Sequence, residues 1–402
     1  MTVATFLSHR ASQTGDSITM AISALAQQMK KEGKPVIGFS AGEPDFKTPV
    51  PIQEAGIQAI RDGKTTYTAA SGIPELKAAI CAKLLADNQL EYRPNQVVVS
   101  CGAKQSIYNA IMATIDPGDE VIVPTPYWVS YPDQIGLAGG RTVLVPTDET
   151  TAFKMTPAQL TAAITPKTKM VILNSPSNPT GSVYTRQELM ALAKVIVEHQ
   201  LLVISDEIYE KLIYSDEGHV SIAQLSPEVK ALTILINGVS KSYAMTGWRI
   251  GYALANPAIA DAMGKIQSHT TSNPTTPSQW ASVQALTGGD EDINAMKAAF
   301  HARRDVMVQR LNEIPGLPTL LPGGAFYAFP NISSLIGKRS PSGVITDSAS
   351  CCQRLLEDVY VACVPGIGFG ADSFIRLSYA TSMTAIEEGV TRMAQWVGSL
   401  TS

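Results

Sequence analysis

The chain has 402 residues, of which 45% are hydrophobic and 16% charged, an ordinary composition for a globular protein with a full core. This length predicts two domains, or one large α/β unit with an appendage. The net charge of -4 gives no electrostatic basis for binding nucleic acid or an anionic membrane surface.

The N-terminus and the cysteines indicate the compartment. The first seven residues, MTVATFL, show no basic segment followed by a long apolar one, so we expect no secretory signal. No stretch approaches the roughly 20 apolar residues of a membrane span. The five cysteines are scattered and form no Cys-x-x-Cys pair, which favours free thiols over disulfides or a zinc site. We therefore expect a cytoplasmic protein without a bound metal.

The N-terminal part reads as a helix, a short strand and a glycine-containing loop. Apolar residues recur every three or four positions over residues 17–31, which predicts a helix, and residues 35–39 predict a strand. In the loop that follows, Gly42 either permits close approach of a ligand to the backbone or simply ends the strand. Tyr67 is expected in a later loop, as a half-buried aromatic residue.

Repeated strand–helix units begin near residue 96. Residues 96–100 predict a buried strand, and Gly102-Ala103-Lys104 opens the next helix. A strand that leads into a glycine at a helix start is an arrangement that binds phosphate, because the first-turn amides point outward and the dipole favours an anion. Trp128 follows the strand at residues 120–124, where it either packs in the core or offers a stacking surface.

Three polar residues follow three successive buried strands. Asn178 and Asp206 are 28 residues apart, and Asp206 and Lys241 are 35 apart, and each spacing suits one strand–helix–strand crossover. The carboxyl ends of parallel strands meet at one edge of the sheet, so these side chains are predicted to lie close together. Open α/β sheets place their ligands at that edge.

Asp206 and Lys241 each admit two interpretations at this stage. An aspartate directly after an apolar strand is costly to bury unless a cation meets it, although it is also a common helix N-cap. A lysine beyond a strand end can form a Schiff base with a carbonyl, although most lysines are solvated surface residues.

The C-terminal third predicts a long helical region from about residue 279 through 296–311, a strand at residues 374–379 and a final helix. The strand alternates as a half-buried strand does, with Arg376 on the face opposite Ile375 and Leu377. An arginine in so apolar a strand usually has a carboxylate partner, which is either internal or part of a substrate.

These pieces fit the chemistry of pyridoxal 5′-phosphate. Lys241 would hold the aldehyde as an imine, and Asp206 would keep the pyridine nitrogen protonated so that the ring acts as an electron sink. Asn178 and Tyr209 would hydrogen-bond the phenolic oxygen, Trp128 would stack on the ring, and Arg376 would clamp a substrate carboxylate. The phosphate would be held by four residues: Gly102, Ala103, Ser240 and Arg249.

The sequence resembles the fold-type I pyridoxal phosphate enzymes, and within them the class I aminotransferases of the bacterial aspartate aminotransferase type. Five segments carry the resemblance, in order and with the family's spacing, over nearly the whole chain: AGEPDF at 41–46, SPSNPTG at 175–181, SDEIY at 205–209, SKSYAMTGWR at 240–249 and RLSYA at 376–380.

The resemblance implies an α/β large domain with a mostly parallel seven-stranded sheet flanked by helices, plus a smaller α+β domain. Residues 47–290 would form the large domain, and residues 1–46 would join residues 291–402 in the small one. It implies that Lys241 is the Schiff-base lysine and proton shuttle, with Asp206, Asn178, Tyr209 and Trp128 in the roles given above. Gly42 would help Arg376 bind the α-carboxylate through its backbone, and Tyr67 would reach the phosphate of the neighbouring subunit in a homodimer.

The implied reaction is transfer of the amino group of L-aspartate to 2-oxoglutarate. Some members use an arginine of the partner subunit for the distal carboxylate, but residues 269–279 contain no arginine. The chain resembles better a subgroup that includes enzymes acting on prephenate, through Gly102-Ala103-Lys104 and through Ser17 and Thr19 near the start. Lys104 is then the candidate for the distal carboxylate, the alternative being a solvated first-turn lysine.

Other functions on the same scaffold are a lyase that releases a β- or γ-substituent, and a cofactor-sensing regulator. The lyase would give a keto acid and ammonia without an amino acceptor. Such regulators carry a DNA-binding module before the fold, whereas only 41 residues precede Gly42 here, so the regulator is not expected.

Overall fold

The computed structural model describes residues 6–13, 15 and 18–402, with side chains from residue 24 onward and for part of the segment before it. Within these residues the α-helices are α1 His9–Gln13, α2 Ile18–Lys31, α3 Val50–Arg61, α4 Pro74–Asn88, α5 Ala103–Thr114, α6 Ser130–Leu137, α7 Pro157–Ala163, α8 Arg186–Glu198, α9 Pro227–Leu232, α10 Pro257–Thr270, α11 Thr276–Thr287, α12 Glu291–Asn312, α13 Ser348–Val359 and α14 Met383–Gly398.

The strands of the same residues are β1 Ile37–Gly38, β2 Val97–Ser100, β3 Glu120–Thr125, β4 Arg141–Pro146, β5 Thr168–Asn174, β6 Leu202–Asp206, β7 Thr233–Gly238, β8 Gly251–Leu254, β9 Tyr327–Ala328, β10 Arg339–Ser340, β11 Gly343–Val344, β12 Val361–Ala362, β13 Val364–Pro365 and β14 Ile375–Ser378. Short 3₁₀ turns cover Pro94–Gln96, Glu149–Thr151, Ile222–Gln224, Thr246–Trp248, Ser333–Leu335 and Gly366–Phe369.

A seven-stranded sheet forms the large part of the molecule, in the order β2-β8-β7-β6-β5-β3-β4. Only β8 runs against its neighbours, so the predicted mostly parallel sheet is confirmed. Strands β5, β6 and β7 are adjacent and parallel, as the residue spacing predicts, and their carboxyl ends share one edge. Apolar side chains cover both faces of the sheet, which explains why its central strands read as continuous hydrophobic runs.

The N-terminal segment joins the C-terminal third through backbone pairing. Strand β1 lies parallel to β12, with Ile37 opposite Val361, and β13, β14 and β9 form a small antiparallel sheet. A separate apolar core contains Phe39 together with residues of α12, α13 and α14. The domain boundaries at residues 46 and 290 stay predictions.

Two sequence expectations were wrong. The long helical region near residue 279 is two helices, α11 and α12, because Gly288 and Gly289 interrupt it with residues of poor helix propensity. Strand β14 is buried on both faces, so Arg376 does not face solvent but lies inside the protein, 3% exposed.

All five cysteines are free, three of them buried and Cys81 and Cys101 half-buried. Among the described residues no helix is both long enough and apolar enough to cross a bilayer. Ser17 lies outside the described residues, as does the side chain of Thr19, although Thr19 belongs to α2.

The start of α5 packs directly on β8. A Cβ atom added to Gly251 would lie 2.1 Å from the Ala103 nitrogen and 2.4 Å from the Gly102 carbonyl carbon. Only a glycine therefore lets the strand approach the first turn of this helix so closely.

We expect Gly251→Ala to lower the free energy of unfolding by about 1–3 kcal/mol, because the backbone of α5 must move to accept the methyl group. Gly264→Ala is the control. Gly264 lies in the interior of α10, and a Cβ atom added there would be 4.0 Å from Ser71 Cβ, so this variant should raise the free energy of unfolding by about 0.5–1 kcal/mol. Urea denaturation measures both, and a Gly251→Ala variant as stable as the wild type would contradict the close contact.

Candidate active site

A cavity of about 890 Å³ opens at the carboxyl edge of β5, β6 and β7. Most predicted site residues line it: Gly42, Ala103, Lys104, Trp128, Asn178, Asp206, Tyr209, Ser240, Lys241, Arg249 and Arg376. Gly102 lies at its edge as the N-cap of α5. Tyr67 does not line it in the single chain, where this residue is 87% exposed rather than half-buried, and its contact with the phosphate of a partner subunit stays a prediction.

Asp206 ends β6 and is 5% exposed. Its carboxylate accepts hydrogen bonds from the Tyr131 hydroxyl at 2.7 Å and from the Ile208 amide at 3.3 Å. Burial raises the pKa of Asp206 to about 6, although the hydrogen bond from Tyr131 and the charge of Lys241 oppose this change. The carboxylate is not a helix N-cap, and its position favours a cationic ligand group in the cavity.

Lys241 lies three residues beyond the end of β7, and its Nζ donates to the carbonyl of Gly42 at 2.6 Å. Burial lowers the pKa of this amine to about 8, and the nearby carboxylate of Glu43 partly opposes that change. Glu43 in turn accepts a hydrogen bond from the Thr246 hydroxyl at 2.7 Å. An amine with such a pKa is partly neutral near physiological pH, as a nucleophile requires.

Arg376 lies inside the cavity wall, where its Nη1 donates to Asn178 Oδ1 at 2.9 Å and its Nη2 to the Ser40 carbonyl at 3.0 Å. Its Nε is buried without a hydrogen-bond partner, and no carboxylate of the described residues pairs with it. The guanidinium lies 4.4 Å from the ring centre of Tyr327. A buried cation with a free donor favours an anionic ligand.

The residues predicted to bind the phosphate lie together at the start of α5. Gly102 caps this helix with φ 89°, and the first-turn amides of a helix have no acceptor within it. Arg249 donates from Nη1 to the Thr246 carbonyl at 2.9 Å and from Nη2 to the Cys101 carbonyl at 3.1 Å. A side chain at Gly102 would collide with this guanidinium, 2.2 Å away. Helix amides, a hydroxyl of Ser240 and an arginine suit a phosphate dianion.

Trp128 and Tyr209 shape the remaining walls. The Trp128 ring packs edge-on against Tyr131 with centroids 5.3 Å apart, and Lys104 Nζ lies 4.9 Å from its centroid. Lys104 is exposed at the mouth of the cavity; partial desolvation lowers the pKa of its amine, Arg249 lowers it further, and Asp133 opposes both. The Tyr209 hydroxyl lies 2.9 Å from that of Tyr327.

Sequence reasoning missed two residues here, Tyr131 and Tyr327. Tyr131 stands one helical turn after Trp128, which was a usable signal, whereas the place of Tyr327 depends on β9 pairing with β14. Both hydroxyls contact residues predicted for the site, Asp206 and Tyr209 respectively.

A family profile for aminotransferase class I and II matches residues 34–393. The chain belongs to this family. It is 50% identical over 391 residues to an aspartate aminotransferase of Bacillus sp. strain YM-2, covering 97% of this chain and 99% of that protein. It is 48% identical over 397 residues to an aspartate/prephenate aminotransferase of Cereibacter sphaeroides, covering 98% and 99%.

Solved structures give the same assignment. The crystal structure of an aspartate aminotransferase from Rhizobium meliloti superposes with a TM-score of 0.95 at 45% identity, over 98% of this chain and 99% of that one. An aspartate aminotransferase from Thermus thermophilus with maleate gives 0.91 at 40% identity, over 97% and 99%. The fold is therefore fold-type I, and the chain is an aminotransferase that uses pyridoxal phosphate.

The residues of the cavity fit this cofactor. Lys241 would bind its aldehyde, Asp206 would pair with the protonated pyridine nitrogen, and the start of α5 with Ser240 and Arg249 would hold the phosphate. The fit rests on the buried, unpaired carboxylate of Asp206 and on the glycine start of α5, which leaves its amides accessible.

For the apoprotein we expect Asp206→Asn to raise stability at neutral pH. Because the pKa of Asp206 is raised in the folded wild-type protein, folding favours the protonated acid. The wild type is therefore most stable below about pH 4, where Asp206 is protonated in both states, and it loses stability as the pH rises to about 6. The loss amounts to about 3 kcal/mol, which an uncharged asparagine avoids.

Urea denaturation at pH 5 and pH 7.5 tests this, and the advantage of Asp206→Asn should grow with pH. Asp119→Asn is the control of opposite sign, because Lys169 holds the pKa of Asp119 below its usual value. Asp119→Asn should be less stable than the wild type at pH 7.5. If Asp206→Asn is also less stable than the wild type at that pH, burial of the Asp206 carboxylate does not destabilise the folded protein.

Glu43→Gln should lower the pKa of Lys241 below about 8, because it removes a negative charge that favours the ammonium form. The rate at which apoprotein captures pyridoxal phosphate should rise with pH as this amine loses its proton, and its midpoint should move to lower pH in the variant. Asp45→Asn is the control, since Asp45 lies on the same loop but pairs with Arg303 at 2.8 Å. Equal midpoints in both variants would contradict a role for Glu43.

Proposed function

We propose that this chain is an L-aspartate:2-oxoglutarate aminotransferase with a ping-pong mechanism. The observation that carries this proposal is the buried guanidinium of Arg376, which has a free Nε and faces a cavity that also contains Lys104. Arg376 and Lys104, two of the basic residues that line this cavity, suit a substrate with two carboxylates, and both aspartate and 2-oxoglutarate have two.

The relatives agree with a dicarboxylate substrate. The Bacillus protein is named an aspartate aminotransferase, and the Thermus structure was solved with maleate, which is a dicarboxylate. These substrates are those of the relatives, and Arg376 and Lys104 on the cavity are the reason for extending them to this chain.

In the proposed mechanism each side chain has a separate task. Arg376 binds the α-carboxylate with two N–H donors and thereby fixes the direction of the Cα–H bond. Lys241 Nζ, once freed, takes the proton from the substrate Cα. Bound pyridoxal phosphate supplies the electron sink for the bond that is broken. Asn178 holds Arg376 in place, and Trp128 shields the reacting carbon from water.

A second candidate activity is amino transfer to prephenate. Lys104 on the cavity favours it, because prephenate also carries a carboxylate remote from its keto acid group, and a relative at 48% identity is named for both activities. Ser17 and Thr19 would contribute to the same end of the substrate in this proposal.

We also propose a cytoplasmic homodimer with shared active sites. The exposed ring of Tyr67, 87% accessible in the single chain, supports this, because a large exposed aromatic side chain is available to a partner subunit. Sedimentation equilibrium of the purified protein should give twice the chain mass.

The proposed function is tested by measuring products with the purified, cofactor-loaded protein. With L-aspartate and 2-oxoglutarate we expect equal amounts of oxaloacetate and glutamate, and no ammonia. Ammonia released without an acceptor would instead establish the lyase. Turnover of prephenate with glutamate or aspartate as donor would establish the second activity, and its absence with both would reject it.

Lys104→Met should lower kcat/KM for aspartate about 10- to 100-fold, because one charge-assisted contact to the distal carboxylate is lost. The same variant should leave kcat/KM for alanine, which has no distal carboxylate, nearly unchanged. Lys265→Met is the control, since this lysine is paired with Asp261 on the exposed face of α10. An equal loss of kcat/KM for aspartate and for alanine would show that Lys104 does not contact the distal carboxylate of aspartate.

A further inference from the structure

The turn after β6 presents side chains in two opposite directions. Asp206 and Tyr209 line the cavity, whereas Glu207 and Glu210 do not line it, although they are only 1% and 7% exposed. Two carboxylates are thus buried on the reverse side of the turn that carries two proposed cofactor contacts. A buried carboxylate is costly unless hydrogen bonds and positive charges satisfy it.

Glu207 is satisfied by three side chains. Its Oε1 accepts from Ser205 Oγ at 2.8 Å and from Ser221 Oγ at 2.6 Å, and its Oε2 lies 2.8 Å from Nε2 of the buried His219. Although burial lowers the pKa of His219, the charges of Glu207 and Glu210 raise it above its usual value overall. With Nε2 protonated, His219 donates to Glu207, and its Nδ1 is buried without a hydrogen-bond partner.

Glu210 is satisfied by a buried lysine and an amide. Lys83 Nζ forms an ion pair with Glu210, and Asn88 Nδ2 donates to Glu210 Oε2 at 3.2 Å. Lys83 also donates to Asn88 Oδ1 at 2.9 Å, and its side chain is only 3% exposed. The two groups adjoin each other inside the protein, because Glu207, Glu210 and His219 each place one polar atom within 4.8 Å of the others.

The network brings together two carboxylates, Glu207 and Glu210, and two basic groups, His219 and Lys83. The neighbouring charges form a separate rim: Asp87 lies 3.6 Å from Lys83 and 3.1 Å from Lys211, which also pairs with Asp290. A metal ion is disfavoured, although Glu207, Glu210 and His219 place ligand atoms within 4.8 Å, because the Lys83 ammonium already occupies Glu210.

The backbone connects this network to the cavity. The Glu207 amide donates to the Ile236 carbonyl of β7 at 2.9 Å, and the Glu210 amide donates to the Glu207 carbonyl at 2.9 Å. Only one peptide unit separates Glu207 from Asp206, and the same holds for Glu210 and Tyr209. Glu207 and Glu210 are therefore joined to Asp206 and Tyr209 through the backbone of one short turn.

We propose that Glu207, Glu210, His219 and Lys83 are positioning residues that fix the 206–210 turn, so that Asp206 and Tyr209 meet the cofactor ring in the correct orientation. This inference rests on the proposed roles of Asp206 and Tyr209. None of the four touches the cavity, so they act through the turn and not on the substrate.

The test uses Glu207→Gln, which keeps the shape of the side chain but removes the carboxylate that His219 Nε2 contacts at 2.8 Å. The dissociation constant for pyridoxal phosphate, measured by titrating apoprotein, should rise about 10- to 100-fold, as is typical when a residue behind a ligand contact is lost. The pH midpoint of the visible absorbance of the bound cofactor should also move. His301→Gln is the control, because it removes a histidine–carboxylate pair, with Asp305 at 3.6 Å, from the surface.

A Glu207→Gln protein that is less stable, but has the wild-type dissociation constant and pH midpoint, would overturn the proposal and leave only a structural role. The paired variant Lys83→Met/Glu210→Gln removes one charge of each sign and leaves none unpaired, so it serves if the single variant does not fold. It should also bind the cofactor more weakly, and wild-type affinity in it would count against the network.

The wild-type protein provides a test that needs no variant. The ¹⁵N signals of the His219 ring should differ between apoprotein and cofactor-loaded protein, because the network and the cofactor share one turn. Identical signals would overturn the proposal. If the wild type forms no visible band with pyridoxal phosphate at all, the proposed function fails instead, which distinguishes the two ideas.

Discussion

Two buried charged groups without an ion-pair contact govern the site. Asp206 and Arg376 are 5% and 3% exposed, and neither has an ion-pair partner among the described residues. Such groups reduce the stability of the empty protein, since burial favours the neutral acid and leaves one N–H of the guanidinium unsatisfied. Ligands of complementary charge remove both penalties. The site therefore favours a ligand that places a cationic group at Asp206 and a carboxylate at Arg376.

The sheet determines where these charges lie. Asp206 stands at the carboxyl end of β6, between β5 and β7, and the residues after those two strands supply Asn178 and Lys241. Arg376 comes from another sheet, on β14, which the N-terminal segment approaches through the Ser40 carbonyl. The cavity thus lies where the large sheet meets the C-terminal third. Asp206 and Arg376 belong to two different sheets, so only the folded chain brings them to the same cavity.

Much of this arrangement could be predicted from the sequence. The crossover spacing between Asn178, Asp206 and Lys241 places them at one edge because parallel strands leave little freedom. The sequence left open whether the carboxylate partner of Arg376 is internal or part of a substrate, since that depends on what surrounds β14 on both faces. Tyr131 and Tyr327 were missed for the same reason: a tyrosine carries no local signal that it will meet a buried carboxylate or another hydroxyl.

The buried network of Glu207, Glu210, His219 and Lys83 was equally invisible in the sequence. Its members come from α4, the turn after β6 and the loop before Ile222, and only the fold brings them together. The motif SDEIY shows that Glu207 lies beside Asp206, but not that its side chain points away from the site. A residue inside a motif can therefore serve the site without facing it.

The substrate role of Arg376 is tested most directly by adding L-aspartate, without any acceptor, to the cofactor-loaded protein and following its visible spectrum. We predict that the band of the lysine-bound cofactor disappears, that one oxaloacetate forms per site, and that 2-oxoglutarate restores the band. The Arg376→Met protein should bind the cofactor but show no such change at the same aspartate concentration. An unchanged spectrum in the wild type, or an equal response in Arg376→Met, would contradict the claim that the unpaired guanidinium receives the substrate.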